Sequence, residues 1–277
     1  MPSSDNLILF DARKALLAVL DALGPHRNSV VLVGAQAIYL HTPNFVSSIA
    51  AFTKDADLAL KLAELATEPS IEILLNKAGF TLTESRNPGQ WLTSNGTPVD
   101  LMVSATIASD HSRGAKLPGH GDRTARSTSG IEGCLVDCKL NLIASFDVSD
   151  ARSYEILVAG PASLLVAKAF KISDRLQDAR RIEDKDAHDV YRLISGVPLD
   201  SIVNGFEVLF REPMSKEVTR IGCSYLQKLF ADGPNAPGSF RAARAEGPFG
   251  NSETVAQSVS ILSKDLLQEL IKRGLLN

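Results

Sequence analysis

The chain has 277 residues, room for one large domain or two smaller ones and enough to bury a core without disulfide or metal staples. Hydrophobic residues make up 44% and charged residues 22%, a balance that excludes disorder, collagen and a coiled-coil rod. The formal net charge of −3 supplies no global basic field, so any RNA or DNA partner must meet a local basic patch. Three scattered cysteines, Cys134, Cys138 and Cys223, argue against a disulfide framework, and with no second Cys/His pair near the first two they argue against zinc. Met1–Asn6 lacks the features of a signal peptide, and no apolar run reaches the roughly 18 residues of a membrane span. The expectation is a cytoplasmic protein that does not engage a membrane.

Apolar residues at helical spacing predict a helix over Leu7–Leu23, stopped by Gly24-Pro25. Ser29–Gly34 reads as a buried strand ending in a tight turn, with Ala35–Leu40 launching a helix from the glycine. A second strand is expected at Phe52–Leu60 and a helix over Ser70–Ala78. Gln90–Thr93 and Pro98–Ser104 flank Asn95-Gly96, a hairpin signal. His111–Gly133 is rich in glycine and basic side chains and reads as a long surface loop. Strands follow at Cys134–Leu140 and Tyr154–Val158. Beyond Gly160-Pro161 the pattern turns helical: a first helix from Pro161, then Asp184–Ile194, Leu199–Phe210, Lys216–Phe230 and Glu253–Arg273, with a second loop over Ala231–Gly250. The outline is α+β, a small mixed-sheet core over residues 1–158 followed by a helical domain over residues 159–277.

The chemistry concentrates in Thr53-Lys-Asp-Ala-Asp-Leu58. Side chains two apart on a strand face the same way, so Asp55 and Asp57 share a face, about 7 Å apart along the chain. Two carboxylates side by side on a buried strand repel and are costly to desolvate, and a hard divalent cation such as Mg²⁺ removes that cost. The alternative is a solvated edge strand with two surface aspartates. Asp100, flanked by Val99 and Leu101, offers a third carboxylate, and Gly34-Ala35 ends a strand where backbone N–H groups can hold phosphate. Together they suit a two-metal clamp for in-line attack on a phosphoryl group. In the helical half Lys168, Lys171 and Arg175 fall at i, i+3 and i+7, a cationic stripe for a triphosphate or a solvated face. Asp186 and Asp189, one turn apart and beside Lys185, either orient that stripe or pair with Arg181, Lys185 and Arg192. The histidines show no metal-ligand spacing, and no Gly-x-Ser-x-Gly, Walker or Gly-x-Gly-x-x-Gly motif occurs.

The series Gly34-Ala35, Thr53-Lys-Asp55-Ala-Asp57, Asp100, Pro161-Ala-Ser-Leu-Leu-Val-Ala-Lys168, Arg175 and Lys185-Asp186-x-x-Asp189 resembles the AbiEii-type nucleotidyltransferases, toxins of the polymerase-β-like superfamily. The likeness runs from about residue 29 to 195. It implies a nucleotidyltransferase sheet followed by helices, and transfer of NMP from an NTP to a hydroxyl, often at the 3′ end of tRNA, with a protein antitoxin as a further partner. It implies Asp55, Asp57 and Asp100 as the catalytic Mg²⁺ ligands, Asp100 also as base, and Gly34 and Ala35 as the phosphate turn. Lys168 would meet the nucleotide phosphates, and Asp186 or Asp189 would complete the site. Ala35 stands where the family usually has Gly or Ser, and Ala50-Ala51-Phe52 stands where an arginine often precedes the Asp-x-Asp segment. Alternative readings are a small-molecule or protein-hydroxyl nucleotidyltransferase, and an inactive binding module on the same fold. Arg113–Arg126 and Arg241-Ala-Ala-Arg244 are the candidate local basic surfaces for RNA.

Overall fold

The computed structural model describes residues 4–46, 53–84, 87–106, 114–176, 183–247 and 250–277. They divide into two units. The first takes residues 1–37, 51–129 and 138–159; the second takes 38–50, 130–137 and 160–277.

The first unit is built on one mixed sheet in the order β3-β4-β5-β2-β1-β9-β8, with β7 added beside β5 and β6 beside β7. The central strands are β1 (Val30–Val33), β2 (Ala56–Leu60), β5 (Pro98–Ser104) and β9 (Ser153–Ala159), with β8 (Cys138–Ala144) at the edge. β1 runs antiparallel to β2 and parallel to β9, whereas β2 and β5 are parallel. The apolar runs explain the placement: every residue of β1 is buried, and Leu58, Ala59, Leu60, Leu101 and Val103 are sealed from solvent. Helix α1 (Ser4–Leu23) lays Leu16, Val19, Leu20 and Leu23 over this sheet against β2, β5 and β9. Each of these buried aliphatic side chains contributes about 1.5–3 kcal/mol relative to exposure. Helix α3 (Ile71–Lys77) packs beside α1. The Asn95-Gly96 signal marks a true hairpin, β4 (Gln90–Leu92) against β5, with β3 (Thr81–Leu82) outside β4.

The expected loop over His111–Gly133 is largely ordered instead. Residues 107–113 lie outside the described ones, but β6 (Gly114–Leu117) and β7 (Gly121–Thr128) form a hairpin, and β7 pairs in parallel with β5. Little apolar content is needed, because the ladder satisfies the backbone and Ala115, Leu117, Thr124 and Ala125 suffice as the inward set. The strand expected from Cys134 starts only at Cys138, since Glu132–Leu135 close a buried 3₁₀ turn.

The second unit is helical. Helix α2 (Gly34–His41) enters it by its last turn; then come α4 (Pro161–Arg175), α5 (Asp184–Gly196), α6 (Leu199–Arg211), α7 (Pro213–Leu226), α8 (Pro237–Ala245) and α9 (Ser252–Lys272). Helix α7 continues as a π turn through Gln227–Ala231. The core takes Leu164, Leu165, Val190, Leu193, Phe206, Phe230, Leu266 and Leu270. Helix α8 falls inside the expected loop Ala231–Gly250. Its Pro237 occupies the first turn, where a missing N–H costs nothing, and buried Ser239 donates to the Phe230 carbonyl at 3.1 Å. The class is therefore α+β, a mixed sheet with a helical C-terminal region. Among the described residues no single helix is long and apolar enough to cross a membrane.

Candidate metal centre

Strand pairing brings two of the expected carboxylates together. In the parallel β2–β5 register Asp57 stands directly opposite Asp100, so both project from one face of the sheet. A slip of one residue would turn one of them to the opposite face. Asp55 precedes β2 rather than lying in it, contrary to the strand expected from Phe52. The local bonds explain this: the Thr53 hydroxyl donates to Asp55 Oδ1 at 2.6 Å, and Gln36 Nε2 donates to the Asp55 carbonyl at 3.1 Å, so that carbonyl faces a side chain instead of a ladder partner. Residues 47–52, with the Ala50–Phe52 stretch, lie outside the described residues.

Ligand oxygens of Asp55, Asp57 and Asp100 all lie within 4.8 Å of one another. Asp100 is buried and the other two are half-buried. Three carboxylates so close repel, and burial sharpens the repulsion. An all-oxygen, all-anionic donor set fits a hard divalent cation, which is what Mg²⁺ or Mn²⁺ requires. Asp100 is also met by Gln90 Nε2 at 3.3 Å and Arg126 Nη2 at 3.0 Å. Arg126, 30% exposed on β7, thus sets one positive charge against the triad.

The glycine turn meets the same centre. Val33 pairs with Asp57, and Gly34 follows with φ +69°, the left-handed region that favours glycine. A Cβ on Gly34 would stand 2.0 Å from Asp57 Oδ2. Ala35, the next residue, is buried and offers only its backbone.

The second expected cluster forms within the helical unit. Lys168 Nζ donates to Asp186 Oδ1 at 2.7 Å and to Asp189 Oδ2 at 2.6 Å, all three side chains being buried. Lys171 reaches Asp186 at 3.1 Å, and Arg175 bridges Asp186 and Glu183, each at 2.8 Å. Burial alone would push Lys168 down, but Asp186 and Asp189 outweigh it and hold the ammonium well above its ordinary range. Burial would likewise raise Asp186, but Lys168, Lys171 and Arg175 hold it well below the carboxylate range. Half-exposed Lys185 joins none of these pairs. The carboxylate triad and the lysine cluster belong to different units.

The basic segments are partly neutralised. Arg241 and Arg244 both pair with Asp184, and Arg126 with Asp100; Lys116 and Arg123 on the β6–β7 hairpin are exposed. Arg113 lies outside the described residues. Sequence reasoning missed Gln36, Thr53 and Gln90 and gave Arg126 only to an RNA-facing surface. The register of the Asn95-Gly96 hairpin, which sets Gln90 opposite Asp100, carried a signal for one of them.

No protein-family model and no curated protein matches this chain. Two crystal structures from Helicobacter pylori align with it. One is of JHP933, at 14% identity over 99% of this chain and 97% of that one, with a TM-score of 0.30. The other is described as a "putative nucleotidyltransferase", at 14% identity over 98% of this chain and 99% of that one, with a TM-score of 0.31. At these scores neither carries the functional argument, which rests on the triad and its surroundings.

Proposed function

We propose that this chain is a divalent-cation-dependent nucleotidyltransferase. The observation that carries the reading is the convergence of Asp55, Asp57 and Asp100 against the Gly34 turn. Asp55, Asp57 and Asp100 would hold the cations, which when bound supply charge neutralisation at the phosphoryl oxygens and activate the acceptor hydroxyl. The N–H groups of Gly34 and Ala35 cradle the triphosphate. The acceptor oxygen bonds to the α-phosphorus, the bond from that phosphorus to the pyrophosphate oxygen breaks with its electron pair, and Asp100 takes the acceptor proton. A phosphate-binding role for Lys168, Lys171, Arg175 and Lys185, with Asp186 and Asp189 fixing their positions, is proposed on the resemblance to the AbiEii-type enzymes alone; within the helical unit Lys168 is buried and bonded to Asp186 and Asp189.

For the acceptor we propose RNA, at a tRNA 3′ end, with growth inhibition as the consequence and a protein antitoxin as the restraint. The resemblance supports this choice, as do the exposed Lys116 and Arg123. Incubation with Mg²⁺, each α-labelled NTP and total RNA tests it, with Asp57→Asn as control. Label in a tRNA-sized band with the wild type alone is the expected result. Label appearing instead on a small molecule or a protein would overturn the RNA acceptor and keep the transferase. No transfer and no NTP binding would leave a binding module.

A further inference from the structure

A buried polar chain runs from α1 to the metal centre within the first unit. Arg13 is only 4% exposed, and among the described residues no carboxylate pairs with it. Burial lowers its guanidinium to about 10. Arg13 Nη1 donates to the Ala144 carbonyl at 2.9 Å, the guanidinium lies 4.2 Å from the Phe146 ring centroid, and Nε donates to Gln36 Oε1 at 3.0 Å. Gln36 is 2% exposed, and its amide nitrogen spends both protons: one on the Ala12 carbonyl at 3.0 Å, the other on the Asp55 carbonyl at 3.1 Å.

The chemistry fixes the direction of this chain. A guanidinium can only donate, so Arg13 forces the Gln36 amide to present its oxygen there and its nitrogen to the two carbonyls. A flipped amide would set two donors against each other on one side and oxygens against oxygens on the other. The Asp55 carbonyl is thus held at the residue whose carboxylate Thr53 holds from the other end. A buried cation without a counter-charge is costly unless its donors are well used, and this one locks a contact at the triad.

We infer that Gln36, oriented by Arg13, is a positioning residue that sets the Asp55 backbone and so the geometry of the carboxylate triad. The inference rests on the metal-dependent reading above for its consequence, but the contact can be tested apart from it. Gln36→Glu keeps an acceptor for Arg13, gives that cation a counter-charge, and loses both N–H donors. Arg13→Met alters none of the hydrogen bonds made by residues 53–60 directly, replaces a buried charge by a shorter apolar chain, and frees the Gln36 amide to turn.

Hydrogen–deuterium exchange of the peptide spanning residues 53–60, with Mn²⁺ titration followed by electron paramagnetic resonance, reads both ends of the chain. The expected result is faster exchange in 53–60 for both variants, with unchanged exchange in α9, and Mn²⁺ affinity weakened about tenfold, the usual effect of removing an outer support from a metal site. Wild-type exchange in 53–60 in both variants overturns the inference, as does undiminished Mn²⁺ affinity despite faster exchange. Wild-type protein that binds no Mn²⁺ would remove the metal reading, and the exchange comparison would still decide the Arg13–Gln36–Asp55 contact.

Discussion

Gly34 lies so close to Asp57 that any side chain at position 34 would collide with the carboxylate: a Cβ built there falls 2.0 Å from Oδ2 and 2.8 Å from Cγ. The same residue has φ +69°, so two independent constraints, backbone conformation and space, demand glycine at the end of β1. The backbone of the turn and the Asp57 carboxylate are therefore packed as one structural element. Gly34→Ala is expected to cost about 1–2 kcal/mol for the left-handed backbone alone. It should also displace Asp57. Thermal melting and Mn²⁺ titration check this together: a lower melting temperature with weakened Mn²⁺ binding is expected, and normal Mn²⁺ affinity would show that Asp57 has room to move without consequence.

Arg126 gives a prediction of opposite sign. Its guanidinium sits 3.0 Å from Asp100 Oδ2, a position in which it competes with a cation for the same oxygen. Arg126→Gln is expected to tighten Mn²⁺ binding in the absence of nucleotide, because one positive charge leaves the triad. Calorimetric titration of the two proteins checks it. Weaker binding in the variant would mean that Arg126 holds Asp100 in place for the metal instead of competing with it.

The Lys168 cluster is structural stock as well as candidate chemistry. Removing one partner from a buried ion pair leaves the others uncompensated, which typically costs about 3–5 kcal/mol. Lys168→Met leaves buried Asp189 without its lysine while Asp186 keeps Lys171 and Arg175, and the loss is expected to fall at the lower end of that range by urea unfolding. A loss below about 1 kcal/mol, the size of an exposed pair, would contradict the buried arrangement.

Two buried histidines set a pH dependence. His120 Nδ1 accepts from the Ile71 N–H at 3.1 Å and its Nε2 donates to the Ala66 carbonyl at 2.9 Å, so the folded protein holds the neutral ring. Burial lowers His120, and burial lowers His188 despite Glu246 at 2.8 Å. Both folded values lie below the ordinary one near 6.5, so below that pH the unfolded chain binds more protons and stability falls. Stability is expected to be full above about pH 6.5 and to decline toward pH 5. Asp186, held low in the folded state, adds its loss only below the ordinary aspartate value of 3.8, a separate window. Urea midpoints at pH 7.5, 6 and 5 check the histidine effect, and a flat profile would contradict it.

Much of this architecture was legible in the sequence because its signals are local. The β-branched run before Gly34, the Asn95-Gly96 turn and Pro161 at a helix start each encode their element within a few residues. Asp55, Asp57 and Asp100 could be nominated together since two lie in one short segment and the third in an apolar strand. What stayed hidden depends on pairing over distance. Nothing near Arg126 says that β7 adds beside β5, and the glycines around it read as loop until that pairing supplies their hydrogen bonds. Nothing in α1 says that Arg13 reaches Gln36, 23 residues on. Helix α8 was masked by the prolines and glycines flanking it, although Pro237 in its first turn is a start signal and not a break.

On the proposed function, Asp55, Asp57 and Asp100 hold divalent cations on which nucleotide binding depends. The most direct measurement is calorimetric titration of a non-hydrolysable NTP analogue into wild-type protein and into Asp57→Asn, each with Mg²⁺ and with EDTA. Binding to the wild type only when Mg²⁺ is present, and its loss in Asp57→Asn, is the expected result. Equal binding in EDTA, or in Asp57→Asn with Mg²⁺, would contradict the claim.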